Sequence, residues 1–354
     1  MANPQEVCTV TANGEKYNIW EIVEVTRSAN DIVDHAMLTV SEISTAGGTG
    51  FSQLKLSPGD VATITLGGQT AITGYVYLRQ AAMDPRTHAC QIGISSRSQA
   101  VLKTTVDGSP GQYVNQTLQQ IGSACFGKVG VGFNIIGSPA GASNVFERVS
   151  ETLGQTRFNF IENLCRLRNL HMIDDGQGNI SAFRGPQGTA APLQEGVNIL
   201  RARIMLKIDD QNETLTGFAQ TYRQGAPGAL VRATQNVQSD FAKGLSGNFN
   251  FLAANAADQA SLQMNVAHVA DAEFYKSVDG VVTVQGWFAP AGDLWMNFVK
   301  AKVTVNSPTL IPGGSMSFVI KEVIHRQSST EGTTTDILIT NLAGLGQESL
   351  GATS

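Results

Sequence analysis

The sequence predicts an α+β protein, mainly antiparallel β, with an α/β insert between two β regions and one long helix in its C-terminal part. Three observations carry this expectation. Apolar and polar residues alternate with period two before Ser98 and again beyond Ile199. Between those stretches the apolar period becomes helical. Turn signals built on glycine and proline punctuate the alternating runs.

The clearest run is "LSPGDVATITLGGQTAITGYV", Leu56 to Val76, with Asp60 its one charged residue. Ser57-Pro58-Gly59-Asp60 places Pro and Gly at the two central positions of a type II turn. Ala62, Ile64 and Leu66 then alternate with Thr63 and Thr65, as in a half-buried strand. Gly67-Gly68 is a two-residue hairpin signal, and Thr70 to Tyr77 is the return strand. His88 to Ser98, with Cys90, Ile92 and Ile94 on one face, adds a strand, as do Tyr17 to Ser28 and Ala36 to Ser41. This region reads as a small antiparallel barrel or sandwich. The loop Ser44 to Ser52 is glycine-rich, with a spacing that fits neither a phosphate-binding loop nor a dinucleotide fold.

After Gly108-Ser109-Pro110-Gly111, Val114, Leu118, Ile121 and Cys125 lie on one helical face. A short β stretch is expected at Val129 to Ile136. A second helix runs from Arg157 to Asn169, with Thr156 as N-cap and Arg166 and Arg168 near its C-terminus. His171 to Phe183 reads as strand, turn, strand. Strands follow at 199–210, 280–288, 301–307, 316–327 and 335–342. Asn255 to Lys276 is the long helix, with Asn255 as N-cap and Leu262, Val266 and Val269 as its stripe. Thr221 to Phe249 reads as a partly ordered loop. The divisions are 1–105 for the first β domain, 106–185 for the insert and 186–345 for the second β domain. The second carries a loop-and-helix insertion at about 221–278, and 346–354 is a flexible tail.

Composition narrows the function. Of 354 residues, 42% are apolar and only 15% charged, below the ~25% usual for soluble chains. A surface short of charge suits a chain covered by neighbours. A net charge of -5 does not favour wrapping nucleic acid. The N-terminus lacks the basic and apolar regions of a signal peptide. Cys8, Cys90, Cys125 and Cys165 are widely spaced and read as reduced, core-filling thiols.

The candidates for chemistry are thin. His35, His88, His171, His268 and His325 show no metal-ligand spacing, and HExxH is absent. Asp174, Asp175 and Asn179 lack the order of a calcium loop and read as a hairpin turn. "GLSGN" at 244–248 is not a nucleophile elbow. Glu147 and Glu151 would share a face if their segment were helical, and read as a solvated pair. Trp287 and Trp295 flank "FAPAGDL" and could stack sugars if exposed. The expectation is therefore no catalytic, cofactor-binding or metal residue, and no enzyme.

The order of short structural segments carries a resemblance. "VTANGEKYNIWEIVEVTRSANDIVDHAMLTVSE", "LSPGDVATITLGGQTAITGYV" and "HACQIGISSRSQAVLKTTV" resemble the first barrel of phage baseplate hub proteins of the Mu gene 44 (gene P) type. "PGQYVNQTLQQIGSA" and "TRFNFIENLCRLRNLHMIDDGQGNISAF" are similar to the α/β insert of that family. "DLWMNFVKAKVTV" and "EGTTTDILIT" are similar to its last strands. Met37 stands where an aromatic residue is expected, and nothing in 221–255 matches. The family is related to late control protein D and to the hub and spike-base proteins of contractile tails. The resemblance implies two tail-tube-like β-barrels and a homotrimeric ring that adapts a sixfold tail tube to a threefold central spike. It implies a DNA channel through the ring that binds no DNA specifically, and a place in the virion baseplate after assembly in the host cytoplasm. The implied partners are other copies of the chain, the tail tube or distal tail protein, the trimeric spike, the tape measure protein and baseplate wedge proteins. A closed threefold assembly of this kind would be obligate, with interfaces of about 2,000 Å² or more. Two other readings are a tail-associated cell-wall hydrolase, which needs a paired carboxylate or metal site, and a sugar-binding receptor module, which needs exposed tryptophans.

Overall fold

The computed structural model describes residues 6–42, 54–83, 88–209, 211–220, 230–237, 247–253 and 258–346. The expected loop at 44–52, the N-cap at Asn255, most of the 221–249 loop and nearly all of the tail lie outside the described residues.

The first region holds β1 (Cys8–Ala12), β2 (Glu15–Tyr17), β3 (Ile22–Ser28), β4 (His35–Glu42), β5 (Val61–Leu66), β6 (Gln69–Met83) and β7 (His88–Ser96). The expected run from Tyr17 to Ser28 is thus divided between β2 and β3. The hairpin forms as its residues demand. Asp60 N–H donates to the Ser57 carbonyl at 3.1 Å across the Pro-Gly turn, with Gly59 at φ +100°. Gly67 and Gly68 both take positive φ, the geometry of a type I′ turn. Cys8, Cys90, Cys125 and Cys165 are all buried and unpaired, as core-filling thiols should be.

After α1 (Gln99–Lys103), the middle of the chain holds β8 (Gln112–Thr117), α2 (Leu118–Gly127), β9 (Phe133–Ile135), β10 (Val145–Ser150), α3 (Arg157–Arg166), β11 (His171–Asp174) and β12 (Ile180–Phe183). Two expectations are corrected here. The expected first helix begins only at Leu118. Before it, β8 pairs antiparallel with β10, which leaves Val114 49% exposed and off the helix face. Thr117 then starts α2 with a capping box. Its hydroxyl accepts from Gln120 N–H, and the Gln120 side chain accepts from Thr117 N–H. Thr156 caps α3 as expected, accepting from Asn159 N–H at 3.1 Å. That helix stops at Arg166, and Asn169 turns the chain with φ +47°. Arg168 lies past the helix and stacks over the Phe146 ring at 4.1 Å.

The last region holds β13 (Leu193–Gln194), β14 (Arg201–Leu206), β15 (Thr214–Gln220), β16 (Leu230–Asn236), β17 (Asn248–Leu252), α4 (Gln259–Ser277), β18 (Val278–Gln285), β19 (Lys302–Asn306), β20 (Ser315–Ser328) and β21 (Gly332–Asn341). Part of the 221–249 loop proves to be β16, paired with β15, while β17 runs parallel to β15. Asp258 caps α4, its carboxylate accepting from Ser261 N–H at 2.7 Å. Leu262, Val266, Ala270 and Phe274 bury the helix's inner face against that small sheet.

One 13-stranded sheet runs β14-β18-β21-β20-β3-β4-β7-β6-β5-β1-β2, with β19 on β20 and β13 on β19. The expected barrels are not seen as closed rings, because no ladder among the described residues joins the ends of this path. A single core nevertheless lies behind both halves, from Val10 and Ile64 to Val303 and Ile339.

Candidate assembly interface

The two halves of the large sheet share one topology. In chain order, β3, β4, β5, β6 and β7 stand in space as β3-β4-β7-β6-β5; β14, β18, β19, β20 and β21 stand as β14-β18-β21-β20-β19. The agreement extends to single residues. Each long strand bulges against its hairpin partner just past the point where its ladder to a shorter neighbour ends. In β6 the extra residue is Tyr77, two past Tyr75, which pairs with Val61 of β5. In β20 it is Lys321, two past Val319, which pairs with Lys302 of β19. The β5–β6 hairpin turns through Gly67-Gly68, and the longer 307–314 connection between β19 and β20 ends on Gly313-Gly314, all four with positive φ.

This equivalence gives meaning to the joint between the halves. Beyond its bulge, β20 has its free side taken by β3, antiparallel, with Val25 opposite His325 and Val23 opposite Gln327. The joint buries Val23 and Val25 and aligns Arg326 with Glu24 at 3.1 Å. The counterpart of β3 is β14, and that of the β20 extension is β6 beyond Tyr77. Among the described residues β14 pairs only with β18, and beyond Tyr77 β6 pairs only with β7. Aligning the bulges and the β4 and β18 ladders sets Ile204 in the place of Val25 and Ala81 in that of His325. Ala202, Ile204 and Leu206 lie half-buried against the core, where the corresponding Val23 and Val25 are fully buried. Exposed apolar side chains flank both edges: Leu200, Met205 and Ile208 around β14, and Val61, Tyr75 and Tyr77 by β6. Two unmated strand edges of this kind are pairing templates, and single exposed side chains alone would need no explanation.

The residues singled out as possible chemistry are placed otherwise. Trp287 and Trp295 are 0% and 2% exposed. The Trp287 indole N–H donates to the Arg326 carbonyl at 3.1 Å, so neither ring offers a face to a sugar or to a neighbouring subunit. Glu147 lies on β10 and Glu151 just after it, with no helix to pair them. Glu151 instead accepts from the Tyr113 hydroxyl at 2.9 Å. Asp175 accepts from the N–H groups of Gln177 and Asn179 at 2.8 and 3.0 Å, making the expected hairpin turn. Asp174 is buried near Arg27 and Asp34, which form a 2.7 Å ion pair inside the first region. Burial pushes the Asp174 and Asp34 carboxyls up, against the pull of that guanidinium. His35 is exposed beside Asp31 at 3.8 Å. The side chain of His88 and most of "GLSGN" lie outside the described residues. His325 is wholly buried, with Nδ1 2.8 Å from the Thr335 hydroxyl and Nε2 accepting from Met296 N–H at 3.3 Å. Burial holds its ring neutral, its pKa pushed down to about 3. His171 and His268 show no metal spacing in the sequence, yet the fold stacks their rings with centroids 4.9 Å apart, beside Asp271. No local motif carries that juxtaposition.

Residues 7–98 match the family described as Mu phage baseplate assembly protein GpP-like, N-terminal. Over 298 residues the chain is 24% identical to the baseplate hub protein gp44 of Escherichia phage Mu, covering 81% of this chain and 76% of that protein. The 43 kDa tail protein of prophage MuSo2 from Shewanella oneidensis has a similar fold, with a TM-score of 0.83 at 20% identity over 96% of this chain and 100% of that one. The E. coli c3393 protein, a type VI secretion component with structural similarity to T4 tail proteins gp27 and gp5, matches with a TM-score of 0.54 at 9% identity, over 93% of this chain and 76% of that one. The proteins it resembles are named as baseplate and tail proteins. Among them, the Mu baseplate hub protein is similar to this chain along most of its length.

Proposed function

We propose that three copies of this chain close into a ring by repeating the β3–β20 joint between subunits, β14 of one copy pairing with β6 of the next. Each copy contributes two topologically equivalent halves, so three copies present six. One face of such a ring suits a hexameric tail tube, and the threefold symmetry of the whole suits a trimeric central spike. The assembly is then the symmetry adaptor of a baseplate hub, and its lumen is the path for DNA. A chain of net charge -5 offers little to hold DNA in passage. The tail tube or distal tail protein, the spike, the tape measure protein and the baseplate wedge are the partners. The large-sheet halves correspond to the tube-like domains at 1–105 and 186–345, with 106–185 as the insert. The carrying observation is that, among the described residues, the intrachain joint is used once while its equivalent edges have no strand partner.

The joint is heterologous, head to tail, and such contacts give closed rings or open filaments. Light scattering on the purified chain tests closure. The expected mass is three times the 37.5 kDa of one chain; a stable monomer, or a mass that grows with concentration, contradicts the proposal.

A further inference from the structure

His171 opens β11 in the insert, while His268 and Asp271 stand one turn apart on α4, so the three side chains join two parts of the fold distant in sequence. One donor atom from each of His171, His268 and Asp271 falls within a group no wider than 4.8 Å. Asp271 is 1% exposed and its Oδ2 has no hydrogen-bond partner; neither has the buried Nε2 of His171. These two atoms face each other at 3.9 Å. That is beyond hydrogen-bond range, but within the span of two metal bonds of ~2.0–2.2 Å each. Orphaned buried polar atoms are costly, and two that face each other invite a common partner. His268 is fixed from behind by Asn169, whose Oδ1 lies 3.2 Å from its Nδ1. A neutral His268 that donates to that oxygen keeps a lone pair on its other nitrogen, the kind of outer-shell contact that orients metal-bound histidines. Both rings are only partly buried.

We propose that His171, His268 and Asp271 bind one divalent transition-metal ion of the zinc type, clipping α4 to β11. Imidazole and carboxylate donors suit such an ion, and the absence of a nearby thiolate excludes a sulfur-dominated site. Arg166 and Arg184 are the cations that oppose the ion's charge; burial pushes the Asp271 carboxyl up, against the pull of His171, Asn169 and Arg184.

The test uses the full-length chain with zinc alone. After chelator treatment, reloading and dialysis, mass spectrometry should find one zinc per chain. His268→Ala and Asp271→Asn should each weaken binding at least tenfold in competition with a chromophoric chelator, at unchanged circular dichroism. Cobalt in place of zinc should give visible d–d bands without thiolate charge transfer, and His171→Asn should remove them should either other variant fail to fold. Zinc should raise the melting temperature of the wild type and not of the variants. A simple ion pair of His171 with Asp271 predicts no retained zinc. That outcome, or equal zinc in wild type and variants, overturns the proposal. Neither outcome bears on the ring, because these residues lie on neither edge strand.

Discussion

Cysteines at Ile204 and Ala81 test the intersubunit joint at the level of register. The internal equivalence sets these residues directly opposite each other in neighbouring copies, as Val25 stands opposite His325 within one copy. Directly opposed residues of an antiparallel pair have Cβ atoms ~4.5–5.5 Å apart, and diagonal ones ~7–8 Å. A disulfide needs Cβ atoms ~3.5–4.5 Å apart, so only the opposed pair closes with a small adjustment. A one-residue slip turns a side chain to the other face of the sheet. Ile204→Cys/Ala81→Cys, mildly oxidised and run without reductant, should therefore give linked trimers. Ile204→Cys/Ala82→Cys should stay mostly unlinked. Val23→Cys/Gln327→Cys spans the existing joint and should close within one chain, calibrating the oxidation. Background is low because all four native cysteines are buried. Failure of the Ile204/Ala81 pair to link while the calibrating pair closes, or better linking at Ala82, would refute the register and with it the repeated joint.

Three further outcomes follow from the interior. His325 is neutral in the fold with its pKa at about 3, while the unfolded chain takes up the proton near pH 6.5. The unfolded state binds more protons in that window, so stability is full above about pH 6.5 and falls by up to ~1.4 kcal/mol per pH unit on acidification. Urea melts from pH 8 to pH 4 should show this slope reduced in His325→Gln, and an unchanged slope would contradict it. Trp287→Ala removes a fully buried ring and its bond to the Arg326 carbonyl. It should cost ~3–5 kcal/mol in the same melts, and a loss below 1 kcal/mol would show the ring is not core. At Gly74 a Cβ would run into the backbone of Ser95 on the facing strand. Gly74→Ala should therefore destabilise by ~1–3 kcal/mol or more, and wild-type stability would mean the β6–β7 hairpin packs differently.

The sequence was most legible where a residue has one physical use. Pro58-Gly59 and Gly67-Gly68 named their turns, Thr156 its cap, and the β-branched runs of β5, β19 and β21 their strands. It misled where two periods fit the same residues. Val114 aligns with Leu118 and Ile121 on a helix, but the ladder to β10 claims it, and the cap at Thr117 starts the helix later. The polar composition of Leu230–Asn236 hid a strand whose pairing comes from β15. Two partners remote in sequence were out of reach: His171 with His268, and β3 with β20. The equivalence of the two halves left only the Gly-Gly pairs as a sequence trace, because bulge positions and strand order are properties of the ladder and not of residue type. Trp287 and Trp295, which the sequence allows to be exposed beside the FAPAGDL loop, are buried. The segment between them folds back, with Trp295 N–H donating to the Trp287 carbonyl at 3.0 Å, and draws both rings inward.

Electron cryomicroscopy of the purified assembly, at a resolution that traces strands, reaches the central idea most directly. Three copies should form a closed ring in which β14 of each lies antiparallel to the end of β6 in the next, Ile204 facing Ala81. A ring of any other copy number, or three copies joined with these two edges apart, would contradict it.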